Sequence, residues 1–130
     1  MRASLLEINV SRRDEMTCAV ELRYERPDDP LLDKRSSANV PLDLALLRDC
    51  RNDREAYGRA LVNGLLASNE VGDALRDSIR DGLANYDGLR VRLHVDTAST
   101  PLHTVRWETL ADPLDTSRWL LTNERILFSR

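Results

Sequence analysis

A chain of 130 residues, 42% of them apolar and 32% charged, suits one compact domain with a single core and a well-solvated surface. A net charge of −3 argues against a nucleic-acid partner, because a surface that tracks phosphates draws on a basic excess. Two cysteines without a Cys-x-x-Cys pair, and an N-terminus lacking a continuous apolar run, argue against a disulfide scaffold, a signal peptide and a membrane span, and predict a cytoplasmic protein.

Two strands open the chain. Leu6, Ile8 and Val10 alternate with Glu7 and Asn9, and Met16, Cys18, Val20, Leu22 and Tyr24 alternate with Thr17, Ala19, Glu21 and Arg23. Period two marks half-buried strands, and the polar link Ser11 to Glu15 makes them an antiparallel hairpin. Cys18, on the apolar face, reads as a buried structural cysteine. The stretch 27–39, opened by Pro27-Asp28-Asp29-Pro30, reads as an exposed, flexible loop. Val40 to Leu42 could end a third strand, and Asp43 could cap a short helix over Leu44 to Cys50.

Two amphipathic helices follow. In Arg54 to Ala67 the apolar residues Tyr57, Leu61 and Leu65 recur every four positions. Ser68 or Asn69 caps a second helix running to about Tyr86, with Val71, Leu75, Ile79 and Leu83 as its stripe and Gly88 at the position of a helix terminator. Leu89 to Val95 is the clearest strand: Leu89, Val91, Leu93 and Val95 face one way, and Arg90, Arg92 and His94 the other. That basic row is either solvated surface or a contact for an anion or a protein. Leu102 to Leu110 forms a short helix or an irregular turn. The apolar runs Trp119 to Leu121 and Ile126 to Phe128 close the sequence, and a strand directly before Arg130 predicts that further chain follows.

No constellation for chemistry is complete. His94 and His103 are the only histidines and have no ligand spacing, so neither metal nor cofactor is predicted. Cys18 and Cys50 lie in no Gly-rich turn that would expose a thiolate, and Gly58, Gly64 and Gly72 follow no strand as a phosphate loop would. Glu108 beside Trp107 reads as a buried carboxylate held by hydrogen bonds, or alternatively as a general base with a raised pKa.

The segment Leu102-His103-Thr104-Val105-Arg106-Trp107-Glu108-Thr109-Leu110 resembles the Leu-His-x-Leu-Pro-Trp-Glu-x-Leu signature in the first part of CHAT domains, which are caspase-like and related to separase. Other features are similar in the same order. Tyr57-Gly58-Arg59-Ala60-Leu61 resembles the Tyr-Gly-x-x-Leu opening of that family's first long helix, and Leu89-Arg90-Val91-Arg92-Leu93 its Leu-Arg-x-Arg-Leu strand. Ala111-Asp112-Pro113 and Ile126-Leu127-Phe128-Ser129-Arg130 resemble the stretch leading into the caspase-like core. The likeness spans Val40 to Arg130 and departs at Arg106, where the family often has proline.

The resemblance implies an α/β fold in which an N-terminal antiparallel hairpin, two amphipathic helices and further strands form the first subdomain of a caspase-like cysteine protease, as a single domain over 1–130. The family's catalytic histidine follows a core strand in a His-Gly context, and its cysteine follows another. Neither lies within 1–130, so no catalytic residue carries over, and His103 belongs to the Trp-Glu motif. Trp107, Glu108, Tyr57 and Gly58 are then structural. The implied partner is a protein, the downstream caspase-like core in cis or in trans, with no nucleic acid and no membrane. A second reading, from the residues alone, is a stand-alone protein-binding adaptor module that uses Arg90, Arg92 and His94.

Overall fold

The protein, described by a computed structural model over residues 2–130 (backbone only for 30–32), is a mixed α/β chain built on one five-stranded sheet. The strands are β1 (Ala3–Arg12), β2 (Thr17–Arg26), β3 (Asp29–Pro41), β4 (Gly88–Val95) and β7 (Ile126–Ser129), in the order β3-β2-β1-β4-β7. β1, β2 and β3 form an antiparallel meander; β4 runs parallel to β1, and β7 parallel to β4. Between β3 and β4 come helices α1 (Leu44–Asp49), α2 (Arg54–Leu66) and α3 (Asn69–Asn85). Between β4 and β7 come α4 (Thr100–His103), a 3-10 turn at Trp107–Thr109 and the small hairpin β5 (Ala111–Asp112) and β6 (Asp115–Trp119).

The alternation expected of the opening hairpin is present for Leu6, Ile8, Val10, Cys18, Val20, Leu22 and Tyr24, which are buried on one face, whereas Met16, expected to begin the second row, is 54% exposed in the reversal before β2. Leu89, Val91 and Leu93 extend that face into β4, and Leu61, Val62, Leu65, Val71, Leu75 and Ile79 of α2 and α3 cover it. Each such aliphatic side chain contributes about 1.5–3 kcal/mol by leaving water, which makes this layer the main stabilising element. Helix starts are set by side-chain caps. Asp43 accepts the Leu46 N–H at 3.1 Å, Asp53 the Ala56 N–H at 3.1 Å and Ser68 the Val71 N–H at 3.5 Å.

Two expectations need correction. The stretch 27–39, read as a flexible loop, is strand from Asp29 onward, and β3 pairs with β2 from Tyr24↔Lys34 to Thr17↔Pro41. β3 lies at the sheet edge, and its inward positions include Ser36 and Ala38, which carry almost no hydrophobic signal. Gly88 does not terminate α3. The helix ends at Asn85, Tyr86 is extended, and Gly88 is the first residue of β4. Arg125 takes the terminator's role, its guanidinium donating to the carbonyls of Leu83 (2.8 Å), Tyr86 (2.6 Å) and Asp87 (3.0 Å).

Candidate functional site

Residues about fifty positions apart meet at one junction. The cap at Asp53 places Tyr57 and Gly58 at the start of α2, facing the turn around Trp107. Tyr57 is buried, and its hydroxyl accepts the Arg106 N–H at 3.0 Å. The Arg106 guanidinium lies 5.6 Å from the centre of the tyrosine ring and donates to the Arg51 carbonyl at 2.9 Å. Proline at this position would have no N–H to give, so the departure at Arg106 is the residue that ties the turn to α2. Gly58 runs so close to the turn that a Cβ there would sit 2.2 Å from the Thr109 carbonyl oxygen.

Trp107 is 3% exposed, and its indole N–H donates to the Leu102 carbonyl at 3.1 Å. Its ring lines a small apolar gap with Ile8, Leu65, Leu93 and Leu110, so it joins the turn to the sheet and to α2. Glu108 is a correction. It is not buried: the 3-10 turn that sends Trp107 inward sends Glu108 outward, where Arg130 donates to it at 3.0 Å. A carboxylate this open to water has no apolar pocket to make it a general base.

The second group of residues lies on the opposite face of the sheet, which no helix among the described residues covers. Arg90, Arg92 and His94 project from it and are exposed, as the alternation in β4 requires. Opposite them on β1 stand Leu5, Glu7 and Asn9. Glu7 is held by Arg23, its direct cross-strand neighbour on β2, and by His94 Nε2 at 3.5 Å. The hydrogen bond from Arg23, with the nearby charges of Arg23, His94 and Arg92, outweighs burial and holds the Glu7 carboxyl below the ordinary glutamate range. Neither Arg90 nor Arg92 makes an ion pair among the described residues. Near His94, the small side chains of Ser11, Ala19 and Ser37 leave a shallow trough of about 530 Å³, rimmed by Arg13 and Glu21.

Among the described residues no nucleophile and base come together. Cys18 is 1% exposed, and burial pushes its thiol up to about 11. Cys50 caps the end of α1 and is half-buried. His103 Nε2 is 3.0 Å from the Asp96 carbonyl oxygen, which occupies that ring nitrogen. Among the described residues no group of three or more His, Cys, Asp or Glu side chains could hold a metal ion. No helix among them is long and apolar enough to cross a membrane.

Sequence reasoning missed three contributors: Arg125 at the end of α3, the Glu7–Arg23 pair, and the pairing of Tyr24 with Asp81 across β2 and α3. Of these only Glu7–Arg23 left a signal. Opposite charges on the outward rows of two hairpin strands face each other once the register is known. No protein-family model, curated protein or solved structure matches the chain.

Proposed function

We propose that this chain is the non-catalytic N-terminal supporting subdomain of a CHAT-type, caspase-like cysteine protease of the cytoplasm, which acts by holding a catalytic core in shape. The observation that carries the reading is the junction of Tyr57, Gly58 and Trp107. These residues carry the motif resemblance in two separate segments, and the residues flanking Trp107 join them, Arg106 by its hydrogen bond to Tyr57 and Thr109 by its close approach to Gly58. A support role calls for a node in which hydrogen bonds and close packing join two elements, as they do here between α2 and the Trp107 turn.

The test is to express the chain with the polypeptide encoded beyond Arg130 and to assay peptide hydrolysis. The expected result is cysteine-dependent cleavage that is lost when residues 1–130 are removed and restored when they are supplied in trans. An adjoining sequence with no His-Gly and no later cysteine after core-like strands, or full activity without residues 1–130, overturns the proposal. A second reading, a stand-alone adaptor module, is favoured by the exposed sheet face on which Arg90 and Arg92 make no ion pair among the described residues. It requires the isolated chain to be monodisperse and to bind a protein partner with no peptidase segment present.

A further inference from the structure

We infer that the free edge of β7 receives an extended, carboxylate-bearing segment of a partner polypeptide as a sixth strand of the sheet. The inference stands on that edge and its two neighbouring arginines, and it holds for either reading of the chain's wider role. The Leu89 N–H bonds to the Arg125 carbonyl at 2.9 Å, which sets the phase of the parallel ladder between β4 and β7. In that phase the N–H and C=O of Phe128 point away from β4, and among the described residues β7 has no further strand beside it.

The two edges of the sheet differ in kind. The outer strand β3 carries Asp33, Lys34 and Arg35, charges that deter a further strand from pairing. β7 reads Ile126-Leu127-Phe128-Ser129 and carries no charge. Leu127 is 47% exposed on the open face, and Phe128 is half-buried on the helical face. A strand laid along this edge would cover apolar surface on both sides of the sheet while satisfying the Phe128 backbone.

The arginines define the partner's chemistry. Arg90 and Arg92 stand directly opposite Leu127 and Ser129 on the open face, and neither makes an ion pair among the described residues. Glu7, the carboxylate opposite Arg92 on β1, is already engaged by Arg23 and His94. Strands lie about 4.8 Å apart, so an added strand lies about 10 Å from β4, within the combined reach of an arginine and a glutamate side chain. An incoming segment that alternates apolar residues with glutamate or aspartate meets both the apolar edge and the two free guanidiniums.

The probes are two labelled heptapeptides, one alternating valine with glutamate and the other valine with lysine. Each is titrated into the purified chain by fluorescence anisotropy, with amide hydrogen exchange read in parallel. The glutamate peptide should bind about fivefold more tightly than the lysine peptide, the scale set by two exposed ion pairs, and the preference should fall as salt is raised. It should slow exchange at Phe128. Arg90→Ser combined with Arg92→Ser should equalise the two peptides, and Leu127→Asp should weaken the glutamate peptide. If the double variant does not fold, Arg90→Gln alone should reduce the preference. Equal binding of both peptides, no binding at millimolar concentration, or protection confined to β3 overturns the inference.

Discussion

Replacing Gly58 by alanine tests the junction most directly. In an ordinary helix interior that change stabilises by about 0.5–1 kcal/mol, because alanine loses less backbone entropy than glycine. Here the new Cβ would stand 2.2 Å from the Thr109 carbonyl oxygen and 3.3 Å from the Ala111 nitrogen. The carbonyl must withdraw by roughly 1 Å to reach an ordinary contact, and it is not free to swing. The Thr109 N–H bonds to the Arg106 carbonyl at 3.1 Å, the Leu110 N–H bonds to the Trp107 carbonyl at 3.1 Å, and Ala111 pairs with Trp119. The strain therefore passes into the turn that carries Trp107. Overpacking of this kind costs about 1–3 kcal/mol, which outweighs the gain in helix propensity. The net expectation is a loss of about 1–2 kcal/mol, or a melting point lower by about 3–8 °C for a domain of this size. Urea unfolding followed by far-ultraviolet circular dichroism gives the stability, and the emission of Trp107, red-shifted as its cover loosens, locates the effect. A Gly58→Ala protein as stable as the parent or more so, with an unchanged urea slope, would falsify the close-approach account of this glycine.

Three further outcomes follow from the same geometry. Tyr57→Phe removes the acceptor of the Arg106 N–H and should cost about 1 kcal/mol, measurable by urea unfolding, with little change in secondary structure; a neutral result would show that water replaces the hydroxyl freely. Glu7→Gln should destabilise at pH 7. The Glu7 pKa is depressed in the folded state, so its contribution is present above the ordinary value of 4.5 and is lost as the pH falls through the lower folded value. Melting curves of the parent and the variant should therefore converge in acid, and a gap that persists at the lowest pH would contradict the pairing with Arg23. Thiol titration of the native protein at pH 8 should modify Cys50 and spare Cys18, whose sulfhydryl is buried and pushed up to about 11, while denaturant should expose both; rapid reaction of Cys18 in the native state would mean that β2 opens locally.

The parts of the fold that were legible are those where burial is one-sided and the inward residues are large. β1, β2 and β4 alternate aliphatic with polar side chains, and the stripes of α2 and α3 recur at helical spacing. β3 was legible only at its end, where Val40 to Leu42 suggested a third strand; before that, an edge strand with Ser36 and Ala38 facing inward buries too little to leave a pattern. The end of α3 was misread because its carbonyls are satisfied by Arg125, far along the sequence, and no local signal announces such a cap. At the junction, Trp107 and the need of its indole N–H for a partner followed from chemistry, whereas the exposure of Glu108 depends on the phase of a single 3-10 turn. The basic row on β4 was legible from alternation. That Arg90 and Arg92 make no ion pair among the described residues while His94 contacts Glu7 required the neighbouring strands to be placed.

The central position of β1 has a consequence for how the chain assembles. On one side β1 meets β2 through a short reversal, and on the other it meets β4, which arrives only after three helices have been traversed. Local pairing closes a small loop, whereas parallel pairing closes a long one and gives up more chain entropy before any contact repays it. On this count the meander of β1, β2 and β3 is expected to gain amide protection before β4 during refolding, an order that pulsed hydrogen exchange reads. β1 is thus the strand common to a locally closed meander and a long parallel crossover, and Ile8, opposite Leu22 on one side and Leu93 on the other, belongs to both pairings.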